Sequence, residues 1–444
     1  MHGRAGMGEY RPRDRSEDVI AWALTRGVPA LIARAEAGDR PLPRHVEDEL
    51  GAYLRCGDPT YGFVRVRCAD CEHTRVVGFS CKGRGFCPSC GGRRMAEFAA
   101  RMVDEVIPKV PVRQWVLSLP MPLRVRLAWD TRLRNAVLQV MIRVIFAWLR
   151  VRGKERGVVG GKCGAVSLTQ NFGGSFNLNI HFHVIVLDGV LDADGRFCAT
   201  GSPSTSDVQD LVDLIRSRVE RLLVKRGVVD EEPEDGQRVL FATSAQGMCS
   251  KGRRPGRWRG ASERPGRTLP KRCAQSGWYN LHAGVTANGH DRAALERLCR
   301  YVARPAVSRE RLSIKEGRVV LRLKSPWDDG TTDLFFTPEA FAERMAALVA
   351  VPRVHGIQYF GVLAPAAKDR ARVVADAGPA HGKPKKAPGR IPWAELLDRV
   401  FAIDVMHCER CGGQAFVRSF VVINAGPVVW ARAGPGLLFG EDVA

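Results

Sequence analysis

Several things are missing from this 444-residue chain. No run reaches the roughly 18 apolar residues that a bilayer-spanning helix needs, and the best candidate, Val137–Leu149, is interrupted by Arg143. A membrane-embedded protein is therefore excluded. The opening segment, MHGRAGMGEYRPRDR, is polar and charged with no apolar core, which argues against a secretory signal peptide. Acidic side chains are in deficit, 47 Asp and Glu against 68 Lys and Arg, leaving a net charge of +21 and a pI near 9.9. Such an excess argues for a polyanionic partner, most simply nucleic acid. Gly157, Gly160 and Gly161 do not follow a strand and open a helix, which rules out a nucleotide-cradling loop.

What the chain does have is 13 cysteines, an odd count, several of them in Cys-x-x-Cys pairs. That pattern fits reduced, metal-binding thiols better than a disulfide framework, so a soluble, cytoplasmic, nucleoid-associated protein is expected. In CADCEHTRVVGFSCKGRGFCPSC, the pairs Cys68/Cys71 and Cys87/Cys90 have the spacing of one structural Zn²⁺ tetrathiolate. Closing such a site can contribute on the order of 10 kcal/mol to a segment with little core of its own. Cys81 reads as a buried thiol and His73 as a spare ligand. Arg84, Arg93 and Arg94, with Lys82, surround the ribbon and are expected to touch phosphates. Near the C-terminus Cys408-x-x-Cys411 is a lone half-knuckle with only His407 beside it, short of the four ligands zinc takes, and the sequence leaves its metal binding open.

Two of the 10 histidines form a His-x-His pair inside GSFNLNIHFHVIVLDG, weak evidence when bare, which a tyrosine on a basic helix downstream and a strongly cationic chain strengthen. Read as a strand, this stretch puts Leu178, Ile180, Phe182, Val184 and Val186 on a core face and Asn177, Asn179, His181 and His183 on the other. Two imidazoles side by side suit a shared divalent metal. A strand over 114–120, a long helix over 123–152 and a strand over 165–171 precede it. Together they predict an α+β sheet with helices against one face. Gly252 to Arg272 is a Gly/Pro-rich basic stretch in which Arg254 and Arg257 are expected to hold a nucleic-acid backbone. Farther on, Asp291 caps a helix running to about Ala303. Leu295, Leu298, Cys299 and Val302 form its apolar stripe, Arg297, Arg300 and Arg304 gather opposite, and Tyr301 falls on the boundary.

Taken together, FSCKGRGFCPSC, WVLSLP, SLTQNFGGSFNLNIHFHVIVLDGV, LHAGV, LCRYVARPAVSRERL and YFGVLAP, in this order, give the chain its likeness. It resembles the rolling-circle insertion-sequence transposases of the HUH (His-hydrophobic-His) endonuclease superfamily, the insertion sequence ninety-one family. The resemblance implies an N-terminal zinc ribbon and an antiparallel HUH palm with packed helices, basic loops and a small C-terminal extension. It also implies Mg²⁺ or Mn²⁺ on His181 and His183 and a nucleophile at Tyr301; Gln170 is our own candidate for a third ligand. Arg297 or Arg304 would offset charge at the phosphate. Founding members carry two tyrosines four residues apart; here Pro305 takes the second place, as in a single-tyrosine branch. The tail from Phe420 to Ala444 is glycine-rich with no helical period, where relatives continue to an ordered helix.

The expected divisions are a helical or disordered segment at 1–55, a zinc-binding domain at 56–110 and a catalytic domain at 111–363 with a basic insertion at 250–272. A linker at 364–392 and a C-terminal extension at 393–444 complete it. The expected function is cleavage and rejoining of single-stranded element ends and target DNA through a 5′-phosphotyrosine, with a homodimer admitted and no membrane partner. A plasmid replication initiator or relaxase would run the same chemistry at an origin. A non-catalytic zinc-ribbon DNA-binding protein would leave His181, His183 and Tyr301 idle.

Overall fold

The structure is a computed structural model that describes residues 17–228, 235–245, 269–327, 329–374 and 406–423. Two helices open it, α1 (Val19–Ala37) and α2 (Arg44–Arg55). Asp18 caps α1 through the N–H groups of Ile20 and Ala21 and accepts the Tyr53 hydroxyl from α2, tying the pair together. A hairpin of β1 (Gly62–Cys68) and β2 (Thr74–Gly78) follows, then α3 (Pro88–Arg101), which runs into a π-helical turn at Met102–Val106. After β3 (Val112–Ser118), the single helix expected over 123–152 is two, α4 (Met121–Trp129) and α5 (Thr131–Glu155). Asp130 leaves helical backbone values at φ −84°, ψ 86°, and its carboxylate accepts the Leu133 N–H at 2.8 Å. One side chain thus ends the first helix and caps the second.

The hairpin β4 (Gly164–Phe172) and β5 (Leu178–Leu187) carries the two histidines, and a short pair, β6 (Gly189–Leu191) and β7 (Phe197–Ala199), extends from it. Helix α6 (Thr205–Lys225) starts on a capping box of Ser204 and Asp207. Next come α7 (Gly236–Ala245), β8 (Cys273–Ser276), β9 (Tyr279–Ala287) and α8 (Arg292–Val302), the last capped by Asp291 through the Ala294 N–H. A small sheet of β10 (Leu312–Lys315), β11 (Arg318–Arg322) and β12 (Asp333–Phe336) leads to α9 (Pro338–Ala347), β13 (Ile357–Gly361) and α10 (Arg370–Val374). The last described element is β14 (Ala415–Val422).

The central sheet has six strands in the order β13-β4-β5-β3-β9-β8, antiparallel at every pairing. In β5 the expected inward set, Leu178, Ile180, Phe182, Val184 and Val186, joins a core with Leu138 and Met141 of α5 and Val212 and Ile215 of α6. The opposite face is covered too. Ile185 and Leu187 pack with Phe98 and Met102 of the α3 region and with Leu295, Cys299 and Val302 of α8. The expectation of helices on one face is corrected: apolar residues at the C-terminal half of β5 point both ways, so both faces need cover.

Where the two layers meet, Arg113 of β3 is almost wholly buried at 1% exposure. Its guanidinium grips Asp188 bidentately, Nε at 2.9 Å and Nη2 at 2.7 Å, and donates to the Ala283 carbonyl at 2.8 Å. Removing the carboxylate strands a buried cation. Asp188→Ala is therefore expected to cost about 3–5 kcal/mol, read as a lowered urea midpoint. An unchanged midpoint would mean that this pair does not brace the sheet.

Candidate active site and metal centres

Position along β5 decides the chemistry of the two histidines. Both lie on the face covered by α8 and are buried, His181 at 8% and His183 at 3% exposure, with ring centroids 4.8 Å apart. The His181 Nδ1 lies 2.7 Å from the Asn179 carbonyl, which can only accept. Its proton therefore sits on Nδ1, and Nε2 keeps a free lone pair. Burial, more than the nearby Arg304 and Arg124 charges, pushes the ring down to about 4. Burial, with His181 and Arg304 adding to it, pushes His183 down to about 2. Both rings are thus neutral at neutral pH, the form that binds a metal.

His183 has a partner that the sequence did not suggest. The Gln114 side-chain amide of β3 stands 2.7 Å from His183 Nδ1. With the amide oxygen toward the ring it accepts from Nδ1 and frees Nε2 for a ligand; with the nitrogen there, the ring proton moves to Nε2. Nε2 is buried with no hydrogen-bond partner among the described residues, and so is Oε1 of Gln170. Gln170 stands directly across from His181 in the β4–β5 register. Its Nε2 donates to the Val302 carbonyl at the end of α8. Two orphaned atoms, beside a second imidazole with a free lone pair, are two nitrogens and one oxygen, donor types that a divalent ion accepts.

Helix α8 brings the tyrosine. Its stripe of Leu295, Leu298, Cys299 and Val302 is buried as the periodicity predicts, while Tyr301 is 51% exposed. The Tyr301 ring centroid lies 6.1 Å from that of His183, in an edge-on arrangement. Arg304 lies over the Tyr301 ring at 4.7 Å. Arg311 and Lys324 extend the cationic neighbourhood: burial and then the Arg304 charge hold Arg311 below its ordinary value, and burial, Arg304 and Arg311 do the same to Lys324. The alternatives are worse placed. Tyr279 is buried at 3% exposure and driven up to about 12 by burial, and Tyr359 is partly buried and shifted the same way.

The cysteines sort differently from the expected tetrathiolate. Cys87 and Cys90, at the start of α3, gather with Cys56 at the end of α2 and with Cys81; Cys68 and Cys71 instead face Cys408 and Cys411. In the first group Cys56 Sγ lies 3.7 Å from Cys87 and 4.0 Å from Cys90, and Cys81 lies 3.5 Å from Cys90. Tetrahedral Zn–S bonds of about 2.3 Å give sulfur–sulfur edges of about 3.8 Å, whereas a disulfide needs about 2.05 Å. These are metal-ligand separations. Hydrogen bonds from Cys56, Cys81 and Cys87 pull the Cys90 thiol well below its usual range, as expected where thiols share one site. The expected pairing is corrected: Cys68 and Cys71, at the end of the β1–β2 hairpin, gather with Cys408 and Cys411 and not with Cys87 and Cys90.

Two family models match the chain, one described as "Transposase zinc-binding domain" over residues 28–119 and one described as "Putative transposase" over residues 164–371. The chain belongs to the insertion sequence ninety-one transposases. No curated protein and no solved structure matches it. The zinc-binding match spans all of Cys56, Cys81, Cys87 and Cys90, and the transposase match spans Gln170, His181, His183, Tyr301 and Lys324. The two parts of the transposase touch beside the tyrosine. Arg309 donates to Ser89 Oγ at 3.3 Å, and a Cβ on Gly91 would meet the Pro305 ring at 2.7 Å. Among the described residues of the transposase, no helix is long and apolar enough to cross a membrane.

The arginines expected to bind DNA divide into four sets. Arg297 is exposed one turn before Tyr301 on the same face of α8, and Arg304 is half-buried beside the ring. Arg84 is exposed although it donates to the Val354 carbonyl, and Arg93 is half-buried on α3. Arg94 donates to the carbonyls of Lys82 and Gly83 and braces the loop between Cys81 and Cys87. Arg254 and Arg257 lie outside the described residues.

Two outcomes are expected. Below pH 6.5 the unfolded chain takes up protons that neutral His181 and His183 refuse, so stability is fully present above that value. It is lost as pH falls toward about 4 for His181 and about 2 for His183, at up to about 1.4 kcal/mol per pH unit per ring. In zinc-loaded protein free of Mg²⁺ and Mn²⁺, the melting temperature between pH 7 and 5 should drop less for His181→Asn/His183→Asn than for the parent chain; parallel curves would contradict the buried neutral rings. Secondly, Gln114→Leu should weaken Mn²⁺ binding about 10–100-fold by titration calorimetry, and unaltered affinity would remove Gln114 from the site.

Proposed function

We propose that this transposase cleaves and rejoins single-stranded DNA at its element ends through a covalent 5′-phosphotyrosine on Tyr301. One observation carries the reading: an exposed tyrosine, its ring 6.1 Å from that of His183, on a helix whose other side is fixed in the core. Tyr279 is buried and Tyr359 partly buried, so neither phenol is as open to a DNA strand as Tyr301.

His181 and His183, with the Gln170 amide oxygen, would hold a Mg²⁺ or Mn²⁺ ion, which when bound would supply polarisation of the scissile phosphate. The Tyr301 hydroxyl attacks phosphorus, the bond to the 3′-oxygen breaks, and the phenolic proton is balanced by the proton gained at the departing 3′-hydroxyl. Arg304, Arg311 and Lys324 bind the flanking phosphates and offset the charge that develops there. A target 3′-hydroxyl then attacks the phosphotyrosine, restoring the phenol. The bond energy stored in the adduct makes an external energy source unnecessary.

The test is an adduct assay with labelled single-stranded element ends, Mg²⁺ and full-length protein, read on a denaturing gel. Tyr301→Phe should abolish the adduct, and His181→Ala or His183→Ala should lower its rate by at least about 100-fold, the scale of losing metal assistance. Arg304→Ala should slow adduct formation without abolishing it. An adduct that persists at full yield in Tyr301→Phe sinks the assignment.

A further inference from the structure

We propose that Cys68, Cys71, Cys408 and Cys411 hold a second zinc ion, so that the transposase carries a zinc ribbon divided between two distant segments of the chain. The inference stands apart from the phosphotyrosine reading. Cys68 and Cys411 Sγ atoms are 3.5 Å apart, as are those of Cys71 and Cys408, and all four ligand atoms lie within 4.8 Å of one another. These are again the edges of a tetrahedral thiolate site.

The backbone repeats itself at the two pairs. Cys68 N–H donates to the His73 carbonyl at 2.9 Å, and Cys408 N–H donates to the Gly413 carbonyl at 2.8 Å, the same five-residue reach. In each turn the residue after the second cysteine is left-handed, Glu72 at φ 58° and Gly412 at φ 73°. A glutamate accepts that conformation only against a steric cost, so the turn is imposed by something other than local preference. Two identical knuckles facing each other are what a shared ion requires.

The surroundings join them as well. Strand β14 pairs with β1 from Gly62↔Val422 to Cys68↔Ala415, and Ala69 N–H donates to the Gln414 carbonyl at 2.8 Å, from one knuckle to the other. Glu409 of the second knuckle lies between His73 and Arg75 of the first hairpin, at 3.6 and 3.8 Å. The apolar core beneath this sheet consists of Val64, Val66 and Ala415 with Phe79 against them. So few buried side chains cannot hold three strands together, which is the circumstance in which small modules use a metal.

The experiment counts zinc in purified full-length protein by mass spectrometry of the metal. Two ions per chain are expected. Cys408→Ser/Cys411→Ser should lose one, Cys68→Ser/Cys71→Ser should lose one, and the quadruple variant should still keep one, because both pairs serve the same ion. One ion in the parent chain, no loss in Cys408→Ser/Cys411→Ser, or loss of both ions in the quadruple variant overturns the proposal. Should the variants misfold, alkylation of the unaltered protein decides. Cys411 is exposed, so as a free thiol it reacts at once with iodoacetamide, and as a ligand it is protected until a chelator is added. Immediate labelling of Cys411 in zinc-loaded protein, or disulfide-linked Cys68–Cys411 and Cys71–Cys408 peptides without reductant, refutes the site.

Discussion

The arrangement depends on how α8 lies against the second face of the central sheet. Its stripe of Leu295, Leu298, Cys299 and Val302 is buried with Val112 and Ile185, and burying such a set is worth several kcal/mol. That burial fixes the helix rotation, and the rotation decides which side chain meets the histidines. A turn of 100° per residue places Tyr301 at the rim of the buried stripe, with the ring braced and the hydroxyl side open. The Gln170 amide then ties the end of the helix to β4 through the Val302 carbonyl.

From this packing the electrostatics follow. The same cover that seats α8 takes water away from His181 and His183, which keeps both rings uncharged beside Arg304. A charged imidazole would repel both a metal and the arginines; a neutral one accepts the first and tolerates the second. Arg311 and Lys324 collect beside Arg304, held below their ordinary values first by burial and then by the neighbouring positive charge. The zinc-binding part contributes by position, since α3 leans on the loop after Tyr301 through Gly91 and Ser89.

Much of this was legible in the sequence because it depends on local period. Alternation along Leu178–Leu187 separated the histidines from the core residues, and the 3.6-residue period of α8 set Tyr301 at its boundary. What was not legible depends on distance. Gln114 is a partner of His183 only because β3 and β5 are neighbours, and nothing in WVLSLP marks the residue before it. Arg311 and Lys324 flank strands of a separate small sheet, just before β10 and just after β11. The cysteine pairing failed for the same reason: spacing along the chain suggested that Cys68/Cys71 and Cys87/Cys90 share an ion, whereas each pair finds its complement elsewhere, in Cys408/Cys411 and in Cys56/Cys81. Long separations in sequence carry no signal of who meets whom. The break at Asp130 is a smaller case, in which a capping residue inside an otherwise continuous apolar pattern outweighed the period.

Strand β1 sits between β2 and β14, and that order has a consequence for synthesis. The ribosome makes β1 and β2 early, but the neighbour on the other side of β1 emerges only after the whole catalytic part has been completed. Until then one row of β1 amide and carbonyl groups stays open, an invitation to pair with another nascent chain. A chain ending before β14 would leave that edge unpaired, a template for pairing with another chain.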